Sequence, residues 1–152
     1  MRPGSTDVKG EGPPGLARPR DTVTGCPGEN TRDQYSMSQP EGPSPHIIFF
    51  ITTASVEEGE RIARSLLEER LAACVNLVPA VRSFFWWEGK VQEEGEVLLI
   101  GKGRADLFPK VQALVRALHS YTVPEIVAIP ITFGLPDYLS WIDDSTHHPE
   151  SR

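Results

Sequence analysis

Cys74 and the run His119-Ser120-Tyr121-Thr122-Val123-Pro124-Glu125 hold the side chains best suited to chemistry in this 152-residue sequence. A thiolate is a soft ligand for Cu(I) or zinc, and imidazole and carboxylate are also metal donors. His119, Tyr121 and Glu125 together could line a pocket or hold a metal. Each group also has a plainer use. Cys74, between Ala73 and Val75, fits a small buried apolar side chain. A histidine at a helix C-terminus is favourable as a cap. Phe84, Phe85, Trp86 and Trp87 read as packing for an interface before they read as a ligand platform. The pair His147-His148 suits adventitious metal binding and little else.

Other chemistries find no support. No C-x-x-C pair exists for a heavy-metal chaperone. No local Ser/His/Asp or Cys/His motif stands out. No nucleophile, base and orienter can be grouped, so an enzyme working through His119 and Glu125 ranks last.

The elements that must position these residues start with a long hairpin, residues 71–102. Its arms, LAACVNLVPAVRSFFWW and VQEEGEVLLIGK, are rich in Val, Phe, Trp, Ile and Leu, as half-buried strands are. Gly89 can adopt φ > 0 and reverse the chain. Pro79 cannot donate a ladder hydrogen bond, which predicts a kink or an edge. Gly95 suggests a bulge in the second arm. The aromatic tip would be an aggregation-prone edge in water, so other copies of the chain are expected to cover it.

Around the hairpin, residues 46–53 (HIIFFITT) read as a central strand buried on both faces. Ser55 and Glu58 fit a capping box. Ile62, Ala63, Leu66 and Leu67 then follow at helical spacing, with the charges on a solvated face. A second helix has Asp106 as its expected N-cap and Leu107, Val111, Leu114, Val115 and Leu118 as its stripe. Residues 125–131 (EIVAIPI) read as another buried strand, with Pro130 placing its end at an edge or an exit, and residues 137–144 as a short last helix carrying Tyr138 and Trp141. The order defines an α+β, ferredoxin-like βαββαβ sandwich with a long β-hairpin and an extra C-terminal helix. Both main helices should pack on one sheet face, leaving the other for neighbouring copies.

Eight of the fourteen prolines and seven of the thirteen glycines fall in residues 1–45. Residues 1–45 have no apolar clusters and are expected to be a disordered tail. Residues 46–146 are the expected domain and 147–152 a frayed end. A net charge of −6 opposes a nucleic-acid partner. An RNA-recognition surface is also opposed by the apolar centre of the second arm. No run suits a signal peptide or a membrane span. Glu11, Asp21, Glu29 and the prolines oppose mitochondrial targeting, so a cytoplasmic protein is expected. Two cysteines make no disulfide framework.

Leu71-Ala72-Ala73-Cys74-Val75-Asn76-Leu77, Trp87-Glu88-Gly89-Lys90, the arm Glu96-Val97-Leu98-Leu99, residues 119–126 and Tyr138-Leu139-Ser140-Trp141-Ile142 resemble the CutA divalent-cation-tolerance family across residues 46–144. The resemblance implies a PII-like homotrimer whose hairpins wrap around neighbours. It implies copper or another divalent cation as a ligand that the fold does not require, and no established catalysis. A vertebrate branch implies a second role, binding and stabilising or localising a partner enzyme. Carried over by position, Cys74, His119 and Glu125 become candidate metal ligands, and Tyr121 and Trp87 cleft residues. Phe84, Phe85, Trp86 and Trp141 become candidate trimer contacts. Ser120 and Thr122 replace the usual Pro and Glu, Thr53 a frequent Cys, and Trp86 a common acid. These departures mark a divergent, vertebrate-type paralogue.

Overall fold

The computed structural model describes residues 42–147. Most of the expected N-terminal tail, with Cys26 and Met37, lies outside the described residues, as does the chain end with His148. Strand β1 is His46–Thr53, α1 is Val56–Glu68, β2 is Cys74–Trp87 and β3 is Lys90–Arg104. Helix α2 (Phe108–Leu118), β4 (Ile126–Pro130) and α3 (Pro136–Ser145) complete the order. The strands form one four-stranded sheet in the order β2-β3-β1-β4, with antiparallel pairing throughout. This is the ferredoxin-like topology that the element order predicts.

Alternation along the strands sorts the two faces. Phe49, Ile51, Val97 and Leu99 are buried and meet Ile62 and Leu66 of α1 and Val111 and Val115 of α2 in one core. Gly101 lies opposite Phe49, and a Cβ there would overlap the Phe49 ring. Gly101→Ala is therefore expected to cost about 1–3 kcal/mol through overpacking, read as a lower denaturant midpoint at unchanged slope.

The other face carries Ile48, Phe50, Leu98 and Ile100, half-buried, with Val127 and Ile129 beside Phe50 and Ile48 on β4. Helix α3 covers only the end of this face near His46, whose Nε2–H donates to Asp143 Oδ1 at 2.9 Å. Some of the cover expected from other copies is thus supplied by the chain itself. The strand order puts β4 at the edge of the sheet, which agrees with the edge or exit expected at Pro130 but leaves the rest of the strand less buried than expected. Val127 and Ile129 are 48% and 50% exposed.

The hairpin outruns the sheet. β1 reaches β3 only as far as Thr53 opposite Val97. Beyond it, residues 81–87 and 90–96 pair only with each other, a two-stranded ribbon roughly 20 Å long. Its turn has Glu88 at φ 49° and Gly89 at φ 78°, the two positive values a tight hairpin turn of this hand requires. The register shift falls between Val78 and Val81, where Pro79 has no N–H to give. Gly95 pairs regularly with Arg82, so the bulge expected there is absent and the irregularity belongs to the other arm.

Two local expectations also change at the helix starts. Asp106 does not cap α2. It pairs with Arg104, and a short 3₁₀ turn, Ala105–Leu107, leads into the helix. Ser55 does cap α1, accepting from the Glu58 N–H at 3.2 Å. The Glu58 carboxylate does not return that bond to Ser55.

Candidate functional site

Helix α2 ends at Leu118, and His119 leaves it in extended conformation, its N–H still bonded to the Val115 carbonyl. The imidazole then folds inward and is completely buried. Nε2 lies 2.7 Å from the Thr52 carbonyl oxygen. A carbonyl can only accept, so Nε2 carries the proton. Nδ1 is left to accept the Tyr121 N–H at 3.0 Å. Both ring nitrogens are engaged, and they tie the loop after α2 to the end of β1. The Tyr121 ring packs on the imidazole at 4.9 Å between centroids.

Glu58 holds the same loop from α1. It is buried, and its Oε1 accepts the Ser120 N–H at 2.6 Å while Oε2 accepts the Ser120 hydroxyl at 3.0 Å. Proline, the residue the family resemblance leads one to expect at this position, would supply neither donor. Burial alone would push the Glu58 carboxyl up. The Ser120 N–H and hydroxyl, the nearby His119 and the Ala54 N–H together outweigh it and hold the group below its ordinary value of 4.5. A lowered carboxylate contributes stability above its unfolded pKa, and that contribution is lost as pH falls through the folded value. Glu58→Gln should therefore be about 1–3 kcal/mol less stable than wild type at pH 7. The gap should close as acid titrations pass below the carboxylate range, which denaturation curves at pH 7 and pH 3 would measure.

Tyr121 reaches across to β3, its hydroxyl donating to Glu96 Oε1 at 3.0 Å. Burial first, then the Glu96 hydrogen bond and charge and the fields of Glu58 and Glu94, push its phenol up to about 12. Between this loop and the overhanging ribbon lies an open cleft of about 1040 Å³. Ser83, Phe85 and Trp87 on β2 and Gln92, Glu94 and Glu96 on β3 face it from the ribbon, since directly paired residues share a face. Thr52, Tyr121, Thr122 and Glu125 close the other side. The cleft thus brings together Trp87, Tyr121 and Glu125. His119 stands behind its wall.

Cys74 is elsewhere. It opens β2 opposite Lys102, itself opposite Ile48, roughly 13 Å along the sheet from Thr52. Its Sγ is 4.0 Å from Asn76 Oδ1, and Lys102 Nζ donates to the same amide oxygen. Burial pushes the Tyr138 phenol up, and the adjoining, hydrogen-bonded Cys74 adds to the shift. Trp141 packs on Tyr138 at 5.4 Å, at this far end of the sheet. Phe84 and Trp86 are 61% and 73% exposed on the ribbon.

A metal does not fit the three candidate ligands within one chain. Cys74 is remote, and His119 has no lone pair left. Glu125 alone is open to the cleft, and no group of three His, Cys, Asp or Glu converges among the described residues. Sequence reasoning missed Glu58 and Glu96 as partners of the loop. Glu58 precedes Ile62 and Leu66 at intervals of four, so it begins the apolar stripe of α1. That was the available signal, and the capping reading absorbed it.

The ferredoxin-like sheet, the overhanging hairpin and the loop clamped by His119 and Glu58 define a class of small α+β domains with a cleft beside the ribbon. The family profile described as CutA1 divalent ion tolerance protein matches residues 47–145. The chain belongs to that family. It is 52% identical over 100 residues to the divalent-cation tolerance protein CutA of Archaeoglobus fulgidus, covering 66% of this chain and 97% of that one. Human Protein CutA is 40% identical over 64% of this chain and 54% of its own. The chain therefore spans nearly all of the archaeal relative and about half of the human one. Among solved structures, the periplasmic divalent cation tolerance protein CutA from A. fulgidus superposes with a TM-score of 0.66 at 50% identity, covering 67% of this chain and 99% of that one. CutA1 from Oryza sativa gives 0.67 at 46%, covering 69% and 96%.

Proposed function

We propose that this chain works as a non-enzymatic homotrimer, a cytoplasmic CutA protein that takes up copper or another divalent cation where copies meet. The overhanging ribbon carries the reading. An isolated two-stranded hairpin is marginal in water, and this one ends in Phe84, Phe85, Trp86 and Trp87. Neighbouring copies covering it would also cover Phe50, Val127 and Ile129. Trp141, at the α3 end, would join the contact. Non-enzymatic action fits the use of His119, whose nitrogens are already committed and which faces no solvent. No helix among the described residues is long and apolar enough to cross a membrane.

Metal binding then has to draw on more than one copy. Glu125 is the exposed donor in the cleft, and Cys74 is a half-buried one at the far end of the sheet. Copper(II) and zinc(II) titrations of the full chain should saturate at whole-number ratios to trimer. Glu125→Gln or Cys74→Ser should weaken that binding roughly 10- to 100-fold, the scale of losing a ligand-shell group. Unchanged stoichiometry and affinity in both variants would remove the metal reading.

One observation favours a second reading, a trimeric scaffold that binds and stabilises or localises a partner enzyme. His119, a candidate metal ligand in the sequence, is spent on Thr52 and Tyr121. Partner capture that requires the trimer and ignores chelators would support the scaffold over the metal.

A further inference from the structure

We propose that His119 and Glu58 form a proton-operated switch that releases residues 121–125 when the imidazole takes a second proton. The switch lies inside one chain, so it stands apart from the metal reading and from how copies assemble. The imidazole is completely enclosed, and Glu58 is buried beside it. Nε2 carries the first proton and donates to the Thr52 carbonyl at 2.7 Å. Nδ1 accepts the Tyr121 N–H at 3.0 Å and lies 3.6 Å from Glu58 Oε1. That nitrogen therefore stands between a donor and an acceptor. A proton can take its lone pair without opening the core, which a metal with its other ligands could not.

Protonation turns Nδ1 from acceptor to donor. Its N–H and that of Tyr121 then oppose each other, and the Tyr121 amide loses its partner. The new N–H has the Glu58 carboxylate instead, within reach after a shift of roughly 0.7 Å. The buried cation is thereby paired where it forms, as burial requires. Thr52 keeps its bond in both states, so His119 holds its place and the change falls on Tyr121 and the residues after it.

The surrounding charges suit this exchange. Burial opposes ionisation of Glu58 on α1, but Ser120, His119 and the Ala54 N–H outweigh it and hold the carboxyl below 4.5. Arg61, also on α1, donates to the Leu118 carbonyl at 2.8 Å and opposes the added charge. From β3, Glu96 accepts the Tyr121 hydroxyl, and Glu94 acts on the same phenol. β1 contributes the neutral Thr52 carbonyl. On the loop itself, Glu125 lines the same cleft as Tyr121. Helix α2 ends at Leu118 with Arg116 exposed in its last turn, and the partial negative charge of that helix end favours a cation beside it. Carboxylates thus outnumber guanidinium groups around the ring.

The test follows the Tyr121 amide of the full 152-residue chain by nuclear magnetic resonance in metal-free buffer. The titration runs from about pH 8 to about pH 5, the span in which imidazoles ordinarily change charge. In wild type the amide resonance should move through a single-proton transition. Its exchange, corrected for the intrinsic effect of pH, should lose roughly fivefold to tenfold protection, the scale of one hydrogen bond. His119→Gln should leave the amide flat across the range. Glu58→Gln should lower the midpoint by about one to three pH units, the effect of removing a nearby opposite charge. The His46–Asp143 pair at the other end of the sheet cannot be mistaken for the switch, because it survives His119→Gln. An unchanged Tyr121 amide in wild type overturns the inference. So does a transition that persists in His119→Gln, or one that keeps its midpoint in Glu58→Gln.

Discussion

His119→Ala is expected to cost about 2–5 kcal/mol of stability, as the sum of two orphaned backbone groups and a small void. The imidazole is fully enclosed, and it satisfies the Thr52 carbonyl on one side and the Tyr121 N–H on the other. Alanine leaves both without partners. The loop carrying Ser120, Tyr121 and Glu125 should loosen with it, because Tyr121 loses its ring contact as well as its anchor. Chemical denaturation should show a much lower midpoint, and amide exchange at residues 119–125 should accelerate ahead of the core. His119→Gln, which can present a donor and an acceptor, should recover part of the loss. A variant as stable as wild type would show that the imidazole is not a structural bracket and would reopen its use as a ligand.

Val127→Arg combined with Ile129→Arg is expected to abolish assembly while leaving the subunit folded. Both side chains lie on the sheet face away from α1 and α2, and both are about half exposed in the single chain. Their neighbours in sequence, Ile126 and Ala128, are the ones that pack on the core. The substitutions therefore cost the subunit little. In a trimer the same positions would bury two unpaired guanidinium groups per copy, each costing several kcal/mol. That exceeds what an interface of ordinary size can spare. Circular dichroism should be retained while the sedimentation coefficient falls to that of one chain. Retained assembly would place the contact elsewhere than the β4 side of the open face.

Much of this architecture is legible in the residues themselves. HIIFFITT gives β1 to the residue because a near-continuous apolar run bounded by a polar turn has few other uses. Ser55, Gly89 and Pro79 each act through their own covalent limits, so the cap, the turn and the register shift follow from the residue types. Long-range partners are not legible in this way. Nothing local tells Glu58 that its hydrogen bonds lie at Ser120, or Tyr121 that its hydroxyl meets Glu96, because those pairs depend on how the sheet and helices close. Asp106 illustrates the opposite failure. Its type suits a cap, but Arg104 two residues earlier offers it a charged partner. The same limit explains the split of the candidate site. Cys74 and His119 belong to one set of sequence motifs, yet register places them at opposite ends of the sheet.

The most direct measurement is the mass of the full chain in solution, by sedimentation equilibrium across a wide range of dilution, with acrylamide quenching of tryptophan on the same samples. Burial of the ribbon between three copies predicts three times the 16.8 kDa chain mass, about 50 kDa, persisting on dilution, with weak quenching. A stable species of one chain mass, its tryptophans open to quencher, would contradict the account.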